Sequence, residues 1–142
     1  MINGIKPNIT TKTQVGSNDT YDEAMDKFLA KLTENGREYI KKYRLIEDVV
    51  FKTDGGRKYI KVKYYETKVH NEYHEDGTKT TSLVKDTKGS ICCFVDSKTG
   101  DIYKPATWRA PYTKGKNCVR GNIFDASTYQ KTDLHGGWLY VR

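Results

Sequence analysis

The sequence predicts an α+β fold: an N-terminal helix (or two) packed on one antiparallel β-sheet of hairpins, with a basic Pro/Gly loop near the C-terminus and one domain over residues 1–142. Three observations carry that expectation. Apolar residues recur with a helical period between Thr20 and Arg44, the period drops to two from Val49 onward, and glycine-bearing turns separate the period-two runs.

Residues 1–17 (MINGIKPNITTKTQVGS) hold Ile5, Ile9 and Val15 as apolar anchors and fit a loose arm or a short edge strand. Thr20 and Glu23 then have the Thr-x-x-Glu spacing of a capping box, in which each side chain satisfies a free backbone donor of the first turn. Tyr21, Met25, Phe28, Leu29 and Leu32 share one helical face. Asn35-Gly36 reads as a stop, and Tyr39, Ile40 and Tyr43 restart the period, giving a second short helix or one kinked helix to about Arg44.

Val49–Thr53 and Arg57–Thr67 flank Asp54-Gly55-Gly56, a hairpin signal. In the second of these strands Lys58, Ile60, Val62 and Tyr64 alternate with Arg57, Tyr59, Lys61, Lys63 and Tyr65, so one face is mostly apolar and the other basic and aromatic. Val69–His74 and Thr78–Lys85 flank Glu75-Asp76-Gly77, a second hairpin. The run SICCFVD, Ser90–Asp96, is the most apolar in the chain and is expected at the centre of the sheet. Ser97–Gly100 turns it into Asp101–Tyr103. A helical turn is expected within Asn122–Tyr129, and Trp138–Val141 is expected to close the chain as a strand.

Composition narrows the function classes. Apolar residues make up 36% of the chain, a small share for a lone globular domain, beside 11 tyrosines. Tyrosine suits both strands and interfaces, so either stability is marginal or some of this surface is expected to be buried against another copy of the chain. A net charge of +7 favours an anionic partner, although 18 acidic residues dilute it. The odd set Cys92, Cys93 and Cys118 lacks metal-ligand spacing and reads as reduced packing residues of a cytosolic protein. No signal peptide, membrane span, nucleophile motif, phosphate-binding glycine loop or metal motif is visible. His70 and His74 fall in a strand and read as solvent-facing. No catalytic residue, cofactor or metal is therefore expected, and the chain reads as a binder.

The stretch that asks for a ligand is GDIYKPATWRAPYTKGKNCVRGNIFD, residues 100–125. Trp108 and Arg109 put a flat ring beside a planar fork of donors, with Pro105 and Pro111 stiffening the flanks. Arg120-Gly121-Asn122 adds a second fork, a backbone open to close approach, and an amide. Arg57 and Tyr59 join these from the basic face of the sheet. The bland alternative makes Trp108 a core plug and Arg109 a surface ion partner, and the residues alone leave both open.

This window resembles a segment of the phage Thoeris anti-defence family, the cyclic ADP-ribose sponges, through GDIYKPATWRAP followed by RGNIF. The resemblance covers about a fifth of the chain. It implies a non-enzymatic protein acting in the host cell cytoplasm, which binds the cyclised ADP-ribose signal of bacterial TIR-domain proteins without cleaving it. It also implies a homo-oligomer with pockets near the subunit contact and, for some members, cyclic oligonucleotides at a separate site. Trp108, Arg109, Arg120 and Asn122 are the matching positions. The spacer TKGKNCV is longer and more basic than the segment leads one to expect, which leaves Lys114 and Lys116 outside the set. A single-stranded nucleic-acid binder is the main competing reading, and a host-takeover adaptor working by protein contact is the third.

Overall fold

A computed structural model describes residues 19–44, 46–132 and 137–140. The arm expected over residues 1–17 lies outside them. One helix, α1 (Tyr21–Tyr43), is followed by strands β1 (Asp48–Thr53), β2 (Tyr59–Tyr73), β3 (Lys79–Lys85), β4 (Ser90–Asp96), β5 (Asp101–Tyr103) and β6 (Val119–Asn122). The short helix α2 (Ala126–Lys131) and a 3-10 turn, Gly137–Tyr140, follow. The strands form one antiparallel sheet in the order β1-β2-β4-β5-β6, with β3 also paired to β2. The α+β expectation holds, with β4 at the middle of the order as its apolar run demanded.

The capping box starts α1: the Thr20 hydroxyl accepts from Glu23 N–H, and the Glu23 carboxylate accepts from Thr20 N–H at 2.8 Å. The expected stop at Asn35-Gly36 does not occur, because both residues serve tertiary contacts. Asn35 is buried and its amide donates to Thr132 Oγ1 at 3.1 Å. A Cβ on Gly36 would sit 2.6 Å from Val49 Cγ1, so the missing side chain is what lets the helix lie close on β1. The helix ends instead at Arg44, whose left-handed φ of 54° lets its N–H close on Ile40 O.

The core lies between α1, α2 and one face of the sheet, built from Phe28, Leu32, Val62, Cys93, Val95, Ile102, Ile123, Trp138 and Leu139 among others. The Tyr129 hydroxyl donates to Ala24 O and Ile123 O, both at 3.0 Å, and ties α2 to α1. Burial raises the pKa of that phenol. Trp138 and Leu139 are neighbours and both are buried, which one face of a strand cannot achieve. That is why the segment expected as a closing strand is a tight turn over residues 137–140. Strand β6, absent from the expected elements, pairs β5 through a bulge.

The register of β2 against β4 slips between Val62 and Lys63, leaving Cys92 as an extra residue opposite no partner. Cys93 points into the core while Cys92 is half-buried beside it. The two expected segments Arg57–Thr67 and Val69–His74 are in fact one strand, β2, of 15 residues. Its first half has β1 and β4 as neighbours. Its second half pairs β3 alone and projects as a ribbon on which every residue from Lys68 to Tyr73 is exposed. Among the described residues no helix is long and apolar enough to cross a membrane.

Candidate functional site

Alternation on β2 sends Val62 to the helix side and Lys61, Lys63 and Tyr65 to the other face. The register places Lys52 of β1 beside Lys63, and Phe94 of β4 between Lys61 and Tyr103. Phe94 is buried on this second face, and Tyr59 meets Tyr103 edge-on with centroids 5.6 Å apart.

The loop after β5 reaches over this surface. Pro105 and Pro111 face each other across an isolated antiparallel bridge, and Tyr112 N–H donates to Lys104 O at 2.9 Å. Inside that closure the Thr107 hydroxyl accepts from Arg109 N–H and Ala110 N–H, both at 3.1 Å. The loop is thus braced by its own backbone, with Trp108 and Arg109 at its tip. At its root, Lys104 Nζ lies over the rings of Tyr112 and Tyr140, 4.9 and 5.4 Å from their centroids.

At the tip, three ammonium groups surround one indole. Lys63, Lys61 and Lys88 place Nζ 4.9, 5.7 and 5.9 Å from the Trp108 ring centroid. Lys63 is only 7% exposed, and its ammonium donates to Lys88 O at 2.9 Å and pairs with Asp54 at 2.7 Å. That contact raises the Lys63 pKa and lowers that of Asp54, since each charge favours the other. Lys88 reaches the ring from the β3–β4 turn. Gly89 there has φ +78°, and a Cβ on it would sit 2.6 Å from the Tyr65 ring. Only glycine lets this turn close onto Tyr65 and hold Lys88 over Trp108. Among the described residues, Lys61 and Lys88 have no carboxylate within ion-pair distance; Asp54 pairs with Lys63, and Asp86, whose carboxylate accepts from Lys88 N–H at 3.0 Å, adds a second negative charge near the Lys63 ammonium.

A ring attracts one cation, but three like charges round one ring repel each other, and an anion placed among them relieves that repulsion. The indole remains 42% exposed, which leaves it surface for a second flat ring. The arrangement offers point charges for phosphate oxygens beside an aromatic platform.

The six residues singled out from sequence divide. Trp108 and Tyr59 lie on this face, with Arg109 exposed at the loop tip beside the indole. Arg57 is exposed in the turn leading into β2, two residues before Tyr59. Arg120 and Asn122 lie on β6, three strands from β2 and so about 14 Å across the sheet. The Asn122 amide serves the fold: it donates to Thr99 O at 2.8 Å and Asp101 Oδ1 at 2.9 Å and accepts from Phe124 N–H at 2.8 Å. Arg120 falls at the β6 bulge with its Nε buried. Lys61, Lys63 and Lys88 were missed. The first two share the alternation that pointed to Tyr59, whereas nothing local marks Lys88.

For metal or nucleophile chemistry the described residues offer little. Among them no group of three or more His, Cys, Asp or Glu is placed to hold a metal ion. His74 Nε2 lies 2.6 Å from Thr80 Oγ1 on the exposed ribbon.

Residues 10–141 match a family of unknown function, DUF7717. The chain belongs to that family. No curated protein and no solved structure matches it. The family has no assigned activity to lend, so the functional reading rests on the tip of the loop and the sheet face beneath it.

Proposed function

We propose that this protein binds a nucleotide-type ligand on the open sheet face and holds it without converting it, with a flat base on Trp108 and phosphate among Lys61, Lys63 and Lys88. The observation that carries the reading is one indole with three ammonium groups 4.9–5.9 Å from its centroid, of which Lys63 alone is in ion-pair contact with a carboxylate. Each charge-assisted contact to phosphate contributes roughly 1.5–3 kcal/mol. Arg109, at the same loop tip, supplies a bidentate donor to a second phosphate. The resemblance of residues 100–125 to the phage Thoeris anti-defence segment makes a cyclic ADP-ribose-type signal the first ligand to test. Holding it would deny the signal to a host effector.

A second reading has its own observation. The site is an open strip, with Lys52 over Tyr65 at 5.8 Å and Lys58 over Tyr59 at 5.5 Å continuing the ring-and-cation pattern along β2. Such a strip suits a single strand of nucleic acid, whose bases stack in succession.

Calorimetric titration of cyclic ADP-ribose isomers and of a short oligothymidylate decides between them. The nucleotide reading expects saturable 1:1 binding of a cyclic ADP-ribose isomer, lost at least tenfold in Trp108→Ala, with the ligand recovered intact after denaturation. Oligothymidylate binding that falls steeply with salt, without nucleotide binding, transfers the site to the strand reading. Linear ADP-ribose recovered in place of the cyclic form makes the protein an enzyme. Absence of binding by every one of these probes overturns both readings.

A further inference from the structure

We propose that the outer edge of the β2 ribbon pairs antiparallel with the same edge of a second copy of this chain, about a two-fold axis through Asn71. This inference is independent of the ligand reading. Strand β1 covers β2 only as far as Thr67, so from Lys68 to Tyr73 the strand has β3 on one side and an open edge among the described residues on the other. A two-stranded ribbon is marginal by itself in water, and an unpaired edge of this length is a template for another strand. The ribbon also exposes Val69 (46%), Leu83 (60%) and Tyr73 (75%).

Backbone direction fixes which groups face the open edge. Lys61 N–H donates to Gly55 O on the β1 side, whereas Glu66 O accepts from Asp86 N–H, and His74 N–H donates to Thr78 O, on the β3 side. Alternation along β2 therefore aims the N–H and C=O of Val69, Asn71 and Tyr73 at the open edge. A two-fold axis at Asn71 sets Asn71 against its own copy and Val69 against the second copy's Tyr73, so all of these donors and acceptors pair. A slip of one residue sets them against residues whose groups point away, and makes no ladder. A slip of two toward the body runs the second copy into β1.

Side chains agree with the same register. On one face it places Val69 opposite Tyr73, apolar on aromatic, at both ends of the contact. On the other it places His70 opposite Glu72, so a carboxylate meets an imidazole twice. Cross-strand pairs of these kinds favour association. The β3 edge offers no equal. Its longest two-fold register sets Lys79 against Lys85 at both ends, and lysines so placed guard an edge.

Light scattering and sedimentation over a concentration series test the pairing. The full chain is expected to approach twice the chain mass as concentration rises, and Asn71→Pro to return it to the single mass. That proline removes an N–H aimed at the open edge and leaves the β2–β3 ladder intact. As a second measure, Asn71→Cys is expected to give an interchain disulfide on mild oxidation, read against the parent chain with its own thiols. Val69→Cys is expected to give none, since the two copies of residue 69 lie four residues apart along the paired strands, about 13 Å, beyond disulfide reach. A single mass at every concentration overturns the proposal. So does a dimer indifferent to Asn71→Pro, or cross-linking through Val69→Cys equal to that through Asn71→Cys.

Discussion

On the helix side of the sheet, Phe28, Val62, Val95 and Ile102 lose all or nearly all contact with water, and the close spacing of α1 on β1 depends on a single absent side chain at Gly36. On the other side the same strands present Lys61, Lys63, Tyr59 and Tyr65, covered only in part by a self-braced loop. The first face has one solution, set by volume. The second carries like charges in contact with one ring, an arrangement that folding alone does not require. Stability is concentrated on one face and the capacity to hold an anion on the other, so substitutions should separate the two properties.

The largest effect is expected from Phe28→Ala, which opens a cavity between α1, Tyr129 and Trp138, since the Phe28 ring meets both edge-on at 6.4 and 6.3 Å. A loss of about 3–5 kcal/mol in unfolding free energy is expected by denaturant titration. A loss below 1 kcal/mol would mean that the helix face is not the stabilising one. Next comes Gly36→Ala. The gain in helix propensity is outweighed by contact with a stiff, buried Val49, for a net loss on the order of 1 kcal/mol. A more stable Gly36→Ala protein would show that the helix sits further from β1 than described. The smallest effect on folding belongs to the double variant Lys61→Gln, Lys88→Gln, which removes two of the three like charges at Trp108. Stability should stay within about 0.5 kcal/mol of the parent while nucleotide affinity falls. If unfolding and binding suffer together, the open face is structural and the contrast between the faces fails.

Much of the fold was legible because its signals are local. The Thr20–Glu23 box, the Gly-bearing hairpin turns and the run SICCFVD each state their structure within a few residues. What was illegible depended on partners distant in sequence. Gly36 looks like a stop until Val49 is laid against it, and Trp138–Leu139 looks like a strand until both must enter one core. Strand β6 has no apolar alternation and shows itself only through its pairing with β5. The site was half visible for the same reason. Period-two alternation exposed the basic face, and Pro-flanked Trp108 announced a rigid tip. Lys88 arrives from another hairpin by way of a glycine turn, while the Asn122 amide that looked able to read a ligand is consumed by Thr99, Asp101 and Phe124.

The Tyr129 hydroxyl joins residues 105 positions apart when it meets Ala24 O, and Asn35 reaches Thr132 across 97. The hairpins β1–β2, β2–β3 and β4–β5, by contrast, link neighbours in the chain. Their loops are short and cheap to close, whereas the seal between α1 and the C-terminal elements carries the largest loop-closure entropy in the molecule. During synthesis the sheet strands emerge and can pair while α1 still waits for its covering partners. Trp138 and Leu139 follow every strand in chain order, and the core is incomplete until they leave the ribosome. For that interval the apolar face of α1 is open to chaperones.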